Sequence, residues 1–567
     1  MAGPGGRGGR RVRAAAALVV PSAAAGVALA LSLPPWGWWP VAFAGAGLLY
    51  WRLAGLGPWA RLLAGWVAGL GCYVPGLFWA RAFNWYGAVA LMAVEALSMA
   101  VAGAAVPPVR GRIPVFAGAF TLMEAVRMAW PFGGLPVGGV FLGQADGPLL
   151  AAARLGGPLL LTAAVWLGGA GIGELVPRLW MVARGGRWWP GAGGRHGGPA
   201  STDAAAPTGP ATAPTGPATL ATVLAAVAVA GVVAVAVGGV LAPDGGPAVR
   251  HLRVAAVQGG GRRGLSQAEV SPATVYTAQL AATFLVHRAD GGRPPQLVLW
   301  PEDVVSLAGP LAGTPQAATM AGLARQLRAT VVAGVTETVS ATAFRNLVVA
   351  WGPGGRVVGT YEKVHRVPFG EYVPYRGFFA HFADLSAVPL DAVPGHGTGL
   401  LRTPAGPMGV MVSYEVFYAA RGRSAVRAGA RLLLVPTNTS SYATSQVPSQ
   451  EVAADRLQAV EEGRDLVQAA PTGFSTVVDN RGAVLQRTDL GRRQVLVATV
   501  ALRSGRTVYE QLGDLPVLVL AGIAVAAGWL WTLFVSGRGR LITGRGRTAS
   551  PGRAHTAHPE EGSPDIY

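Results

Sequence analysis

The chain has 567 residues, of which 13% are charged and 51% are hydrophobic. A typical soluble domain has roughly 25% charged residues, and long uncharged apolar stretches recur here, so the composition excludes an ordinary soluble protein and indicates membrane spans. The formal net charge is +18, from 46 basic and 28 acidic residues. Many basic residues lie in short segments beside the apolar stretches and not in one cluster, which argues against nucleic-acid binding.

Apolar stretches predict about seven membrane-spanning helices in the first half of the chain and an eighth near its end. Their approximate cores are Ala14–Leu33, Val41–Tyr50, Leu62–Ala80, Ala88–Val106, Val115–Trp130, Leu155–Ile172, Leu220–Leu241 and Leu515–Val535. The fifth stretch contains Glu124 and Arg127, whose charges are costly in lipid, so they either form an ion pair or line a route to a site. The single cysteine, Cys72, is interpreted as a buried small residue, and it excludes an internal disulfide.

Arginines mark one side of the predicted membrane domain. They precede the first span, lie between spans two and three and between four and five, and follow spans six and eight, whereas the opposite loops have few basic residues. The positive-inside rule therefore predicts cytoplasmic N- and C-termini and an extracytoplasmic segment from 242 to 514. A cleaved signal peptide in place of the first span would leave that side unchanged.

These patterns predict the following domain organisation. The predicted units are a basic cytoplasmic N-terminus (1–13), a membrane domain (14–241), an extracytoplasmic domain (242–514), a last span (515–535) and a disordered cytoplasmic tail (536–567). Within the membrane domain, residues 185–218 are rich in Gly, Pro, Ala and Thr and are predicted to form a disordered cytoplasmic loop, because such a composition cannot bury a core.

The segment from His251 to about Val508 differs from the apolar stretches that flank it. Short β-rich runs alternate with amphipathic helical patterns such as AATMAGLARQLR and SQEVAADRLQAVEEGR; the runs are LRVAAVQ, QLVLWPE, TVVAGVTE, NLVVAWG, GVMVSYEVF, RLLLVPTN and LVQAA. This alternation predicts a layered α/β domain.

Three polar residues at or near predicted strand ends form a candidate catalytic group. Glu302 follows the strand QLVLW, Ser413 ends the strand GVMV, and Lys363 is the only lysine among the 46 basic residues. A position that keeps lysine in so arginine-rich a chain indicates a need for a compact ammonium. A carboxylate base, an ammonium that stabilises an oxyanion and a hydroxyl nucleophile can share one pocket, although such residues after strands are common. No His and carboxylate spacing indicates a metal site.

The sequence motifs around these residues are more specific than the three residues alone. WPED, YEKVHRVPFGEYVP and SYEVFY, in this order after seven spans, resemble the apolipoprotein N-acyltransferases, a membrane-embedded branch of the nitrilase (carbon–nitrogen hydrolase) superfamily. The resemblance extends to FTLMEAVRMAWPFGGLPVGGVFLGQADGPLL in the membrane half and to DRLQAVEEGRDLVQAAPTGFS near the end. It covers most of the chain from about Pro34 to Val535.

The resemblance implies a multi-pass helical membrane domain joined to a nitrilase-type αββα sandwich, in a bacterial-type cell membrane, with no cofactor or metal. It also implies transfer of an acyl chain from a phospholipid to an enzyme nucleophile, and then to the α-amino group of a diacylglyceryl-cysteine lipoprotein. By position, the implied catalytic residues are Glu302 as base, Lys363 as oxyanion partner and Ser413 as nucleophile, with Glu371, Tyr414 and Glu415 supporting or lining the site.

The chain departs from the family pattern at the nucleophile, where Ser413 replaces the family's cysteine. A serine hydroxyl needs a well-placed base, and its ester resists aminolysis more than a thioester does. The loops GGGRRGLSQAEVS and PTNTSSYATS also lack family aromatic residues, and the second has Tyr442 where a Trp-Phe pair is expected. Two alternatives therefore stay open: a catalytically silent paralogue that binds lipoproteins or envelope partners, and a membrane-anchored amidase.

Overall fold

The computed structural model describes residues 5–82, 85–108, 112–183, 217–261, 270–289, 291–381, 384–386, 388–440 and 445–544. Nearly all of the predicted loop 185–218, the predicted tail beyond residue 544, Tyr442 and residues 262–269 lie outside these ranges. A helix occupies each of the eight predicted apolar stretches. These helices are α1 (Gly5–Ser32), α2 (Trp39–Arg52), α3 (Pro58–Gly76), α4 (Trp85–Ala105), α5 (Ile113–Arg127), α6 (Ala153–Ala183), α7 (Pro217–Leu241) and α15 (Leu515–Gly544).

Five of the eight helices, α1, α4, α6, α7 and α15, are long and apolar enough to cross a membrane. The other three have 14, 19 and 15 residues, and at 1.5 Å per residue they are shorter than a hydrocarbon core of about 30 Å. They pack against the long helices: α2 against α1 and α6, α3 against α1 and α4, and α5 against α6 and α15. Glycines permit close approach, since a Cβ on Gly47 of α2 would lie 2.7 Å from the Gly169 carbonyl oxygen.

The remaining elements form an α/β domain between α7 and α15. Its strands are β1 (Ala248–Gln258), β2 (Leu297–Leu299), β3 (Val305–Leu307), β4 (Thr330–Ser340), β5 (Ala343–Trp351), β6 (Val357–Glu362), β7 (Asp391–Ala392), β8 (Leu400–Thr403), β9 (Gly406–Val410), β10 (Leu432–Pro436), β11 (Leu466–Ala469), β12 (Thr476–Val478), β13 (Val484–Arg487) and β14 (Gln494–Arg503). Its helices are α8 (Pro272–Thr283), α9 (Val286–Ala289), α10 (Pro315–Leu327), α11 (Arg376–Phe379), α12 (Ala419–Arg427), α13 (Val447–Glu462) and α14 (Val508–Leu512). Each of the seven β-rich runs found in the sequence contributes to a strand.

The strands form two sheets. The first has the order β14-β1-β2-β4-β5-β6, with β3 beside β4 and β7 beside β5, and the second has the order β13-β12-β11-β10-β9-β8. Side chains alternate between the two faces of a strand: Leu432 and Leu434 of β10 lie in the core between the sheets, whereas Leu433 and Val435 face the helices on the outside. Helices α8 and α10 cover the first sheet, and α12 and α13 cover the second. The domain is therefore an αββα sandwich, which confirms the predicted fold class.

The α/β domain and the membrane helices share one core. Gly463 directly follows helix α13, and its φ of +60° suits a helix C-terminus. The buried face of α13 joins the second sheet to the hydrophobic cluster of the membrane helices. Polar contacts support this junction. The Gln446 amide donates to the Pro75 carbonyl at 2.6 Å, and the Gln450 amide donates to the Gly76 carbonyl at 3.3 Å. The membrane part thus fixes the orientation of the sandwich.

The core between the sheets predicts a clear difference between two leucines of the second sheet. Leu434 is fully buried and Leu485 of edge strand β13 is 51% exposed. We expect Leu434→Ala to lower the free energy of unfolding by about 2–5 kcal/mol, because it leaves a cavity, and Leu485→Ala to change it little. Thermal unfolding of the purified protein in detergent checks this, and equal shifts in Tm for the two variants would contradict the two-sheet packing.

Candidate active site

Lys363 directly follows β6 and is buried between two carboxylates. Its Nζ donates to Glu302 Oε1 at 2.9 Å and to Glu371 Oε1 at 2.6 Å, and only 1% of the side chain is exposed. Burial alone would lower the pKa of Lys363, but the two carboxylates outweigh it and raise that pKa above its ordinary value. The ammonium therefore stays charged, as an oxyanion partner requires.

Glu302 lies in the turn after β2 and contacts the Lys363 ammonium from there. Its Oε1 also accepts from the Asn346 side-chain amide at 2.8 Å, and its backbone N–H donates to the Thr437 carbonyl, at the end of β10, at 3.3 Å. Strand β4 leaves room for this turn because residue 334 is glycine: a Cβ there would lie 2.5 Å from the Glu302 Cα. Glu302 is thus held by both sheets, through its carboxylate to the first and through its backbone N–H to the second.

Glu371 approaches from the loop that follows Lys363. Its second oxygen accepts from the Val367 backbone N–H at 3.0 Å. Burial raises the pKa of Glu371, although the nearby Lys363 ammonium opposes this. The predicted supporting residue therefore contacts the lysine directly and is part of one buried cluster with Glu302.

Ser413 begins a short turn after β9, and Glu415 joins that turn to the lysine segment. The Glu415 carboxylate accepts from the backbone N–H groups of Val412 at 2.8 Å, Val364 at 2.8 Å and His365 at 3.0 Å. Val412 precedes Ser413 and Val364 follows Lys363, so one buried carboxylate holds the serine and lysine segments side by side. Among the predicted site residues, Glu302, Lys363 and Glu371 are in direct contact, and Glu415 brings the Ser413 turn to them.

Backbone strain is concentrated around this group. Six non-glycine residues among those that the structure describes have positive φ, and they include Asp303 (+56°), Phe369 (+59°) and Ser413 (+49°). Asp303 follows Glu302, and its carboxylate accepts from the Thr336 hydroxyl at 2.8 Å. Conformations of this kind cost of order 1–3 kcal/mol each and are characteristic of functional sites.

Tyr414 does not face the Lys363 cluster but the membrane part. Its hydroxyl donates to the Gly134 carbonyl at 2.8 Å, and the hydroxyl of Tyr418 donates to the same carbonyl at 2.9 Å. Sequence reasoning missed Tyr418 and Asn346. Asn346 could have been identified, because it is a polar residue at the start of the apolar run NLVVAWG. Nothing in the sequence links Tyr418 to a glycine 284 residues away.

Comparison with known proteins agrees with this architecture. The family model for the apolipoprotein N-acyltransferase N-terminal domain matches residues 25–171, and the model for carbon-nitrogen hydrolases matches residues 253–509. The chain is 33% identical over 539 residues to the apolipoprotein N-acyltransferase of Mycolicibacterium smegmatis, covering 88% of this chain and 83% of that protein. The chain belongs to the apolipoprotein N-acyltransferase family.

Other comparisons are more distant. The apolipoprotein N-acyltransferase of Azotobacter vinelandii is 29% identical over 568 residues, covering 94% of this chain and 96% of that protein. Among solved structures, Saccharomyces cerevisiae Nit3, a member of the nitrilase superfamily, has 20% identity and a TM-score of 0.35, covering 45% of this chain and 91% of Nit3. Its family membership, its carbon-nitrogen hydrolase domain and its apolar helices make this protein a multi-pass, membrane-embedded acyltransferase of the nitrilase superfamily.

Another buried carboxyl group lies close to the cluster in this acyltransferase. Glu451 of α13 accepts a hydrogen bond from the Thr437 hydroxyl, and Thr437 is the residue whose carbonyl accepts from the Glu302 N–H. Burial raises the pKa of Glu451 from 4.5 to about 8. Glu451 is therefore protonated at neutral pH in the folded protein.

This shift predicts a specific dependence of stability on pH. Between about pH 4.5 and about pH 8 the folded protein keeps the Glu451 proton and the unfolded chain does not, so this group's contribution to stability is present at low pH and is lost as pH rises. The loss approaches roughly 1.4 kcal/mol per pH unit. Glu451→Gln keeps an acceptor for Thr437 and removes the titration. We expect its Tm relative to wild type to increase from pH 5 to pH 8, and a constant difference would contradict this assignment.

Proposed function

We propose that the protein moves an acyl chain from a membrane phospholipid to Ser413, and then to the α-amino group of a diacylglyceryl-cysteine lipoprotein. The observation that carries the proposal is the buried Lys363–Glu302 pair, held by Glu415 beside the Ser413 turn. The relatives named apolipoprotein N-acyltransferase support the choice of acceptor.

In the first half-reaction the Ser413 hydroxyl attacks the ester carbonyl carbon of the phospholipid. Glu302 accepts the hydroxyl proton as general base, and the Lys363 ammonium stabilises the oxyanion of the tetrahedral intermediate. When the intermediate collapses, the bond to the glycerol oxygen breaks, and Glu302 returns the proton to that oxygen. The products are a lysophospholipid and an acyl ester on Ser413.

In the second half-reaction the neutral α-amino group of the lipoprotein attacks the ester carbonyl. Glu302 accepts a proton from the amine, and the intermediate collapses with departure of the Ser413 oxygen, which takes that proton. The lipoprotein leaves with an amide-linked acyl chain, and the free hydroxyl is restored. An oxygen ester reacts with amines more slowly than a thioester, so in this serine enzyme we expect the second step to limit turnover.

The proposed topology places the α/β domain outside the cytoplasm. Arginine-rich loops on one side of the membrane helices support this orientation by the positive-inside rule. Both substrates are anchored in lipid, and the Ser413 turn contacts the membrane part through Tyr414. Donor and acceptor then reach the site laterally from the outer leaflet.

Substitution of Ser413 tests the mechanism. With a phospholipid labelled in its acyl chain, we expect wild-type protein to form a covalent acyl-enzyme, and Ser413→Ala to form none, because the nucleophilic oxygen is gone. Ser413→Cys should form a thioester and transfer its acyl chain to a diacylglyceryl-cysteine peptide at least ~10-fold faster than wild type, because a thioester is more reactive toward amines. Gel analysis of labelled protein and mass spectrometry of the peptide N-terminus measure the two steps.

The products separate the proposal from its alternatives. Unchanged acyl-enzyme in Ser413→Ala contradicts the serine mechanism. Release of free fatty acid with no acylated amine identifies a membrane-anchored amidase. Acyl-enzyme in Ser413→Cys only, with none in wild type, identifies a silent paralogue whose remaining role is to bind lipoproteins or envelope partners.

Cysteine labelling tests the topology. The natural Cys72 is fully buried, so a single introduced cysteine is the accessible thiol. Ala341 lies in the exposed β4–β5 turn and Ala54 in the exposed α2–α3 loop. In intact cells we expect a membrane-impermeant maleimide to label Ala341→Cys, and to label Ala54→Cys only after permeabilisation. The opposite pattern would place the catalytic domain in the cytoplasm and exclude the proposed function.

A further inference from the structure

The buried ion-pair cluster at the end of α5 has a second set of contacts. Arg127 is the last residue of α5 and is 3% exposed. Its guanidinium donates to both oxygens of Glu124, at 2.9 and 2.6 Å, and to Glu95 of α4 at 3.2 Å. Of the two interpretations left open by the sequence, the structure therefore confirms the ion pair.

The same guanidinium also fixes the segment that follows α5, residues 128–139, here called the docking loop. It donates to the carbonyls of three consecutive residues, Leu135, Pro136 and Val137, the last two at 3.3 and 3.2 Å. A guanidinium has five N–H donors in a rigid plane, and a lysine ammonium at this position has three donors and a different reach. Arg127 thus links the membrane charges to the shape of the docking loop.

The docking loop in turn contacts the residues beside the proposed catalytic groups. The Gly134 carbonyl accepts from both Tyr414 and Tyr418, and the Phe132 carbonyl accepts from the Tyr372 hydroxyl at 3.2 Å. Tyr414 directly follows Ser413, and Tyr372 directly follows Glu371. Gly134 has a φ of +85°, a conformation that glycine adopts at little cost, so this carbonyl is aimed at the tyrosines by the loop itself.

The hydroxyls of Tyr414 and Tyr418 are buried and depend on the Gly134 carbonyl as their hydrogen-bond acceptor. Tyr414 is 7% exposed and Tyr418 is 8% exposed, and a buried hydroxyl without a hydrogen-bond partner is destabilising. A docking loop that moves away from the Ser413 turn therefore leaves two donors without a partner, and the turn follows the loop. Because Ser413 has a positive φ and lies between Val412 and Tyr414, a shift of this turn reorients its hydroxyl.

We propose that Arg127 is a positioning residue for acyl transfer: it holds the docking loop so that Gly134 fixes Tyr414 and Tyr418, and this fixes the Ser413 hydroxyl toward Glu302 and Lys363. The proposal rests on the proposed function of Ser413 as nucleophile. Arg127 does not contact the reacting atoms. Arg127 holds the docking loop, the docking loop holds the tyrosine pair, and the tyrosine pair holds the Ser413 turn. The membrane part therefore sets the geometry of the nucleophile.

A double-mutant cycle tests this chain of contacts. The variants are Arg127→Lys, the pair Tyr414→Phe with Tyr418→Phe, and the combination of all three, with Arg178→Lys as matched control because Arg178 pairs with Glu174 in α6 and does not belong to the docking loop. Two rates are measured: labelling of Ser413 by a fluorophosphonate probe, and formation of acyl-enzyme from labelled phospholipid.

We expect Arg127→Lys and the tyrosine pair each to slow both rates by about 10–100-fold, since displacement of a reacting group by about 1 Å has effects of this size. The combination should be no slower than either alone, because residues that act through one contact are not additive. Arg178→Lys should keep the wild-type rates. A general loss of stability would not produce this pattern, since independent defects multiply.

The following results are decisive. Multiplied losses in the combination, or wild-type rates in Arg127→Lys, overturn the positioning role. If Arg127→Lys does not fold, the tyrosine pair, which removes only two hydroxyls, decides alone: unchanged rates overturn the proposal. If the probe rates follow the expected pattern across the variants but wild-type protein takes no acyl chain from phospholipid, the positioning role is supported and the proposed function is refuted. If wild-type protein reacts with neither the probe nor phospholipid, both are refuted.

Discussion

The site depends on one buried charge, the Lys363 ammonium. A lysine without exposed surface is tolerated only when opposite charges compensate for its lost hydration, and here Glu302 and Glu371 both lie within 3 Å of Nζ. Each glutamate is fixed in turn. The Glu302 carboxylate accepts from the Asn346 amide and the Glu302 backbone N–H donates to the Thr437 carbonyl, and the Glu371 carboxylate accepts from the Val367 N–H. These contacts keep both carboxylates beside the buried ammonium, whose lost hydration they replace.

Three structural units contribute to the region around this charge. The first sheet supplies Glu302 and Lys363, the second sheet supplies the Ser413 turn, and the membrane part supplies the Gly134 carbonyl behind Tyr414. Glu415 joins the first two units, since its carboxylate accepts backbone N–H groups from both. The membrane helices are thus more than an anchor: they share a core with α13 and form one wall of the region behind the proposed nucleophile.

Much of this arrangement was predictable from sequence, for a definable physical reason. Apolar stretches locate the helices, and runs of β-branched residues locate the strands, because burial dictates both patterns. Polar residues that directly follow buried strands are candidates for a shared pocket, so Glu302 and Ser413 were identifiable, and their roles came from the family resemblance. Contacts between distant segments were not predictable: no local pattern links Tyr414 to Gly134, 280 residues away, and the partner Glu95 of Arg127 lies on another helix.

With Ser413 as the proposed nucleophile, the position of the hydroxyl matters more than the position of a thiol would in a cysteine enzyme. A thiol can ionise before attack, so its reactivity tolerates some error in the placement of the base. A hydroxyl must lose its proton as the new bond forms, which requires the base within hydrogen-bond reach at the moment of attack. A serine mechanism therefore depends more strongly on the position of the hydroxyl relative to its base. In this chain Glu415 holds the Ser413 turn on one side, and the loop that Arg127 contacts holds it on the other; the proposed catalysis by serine would depend on both.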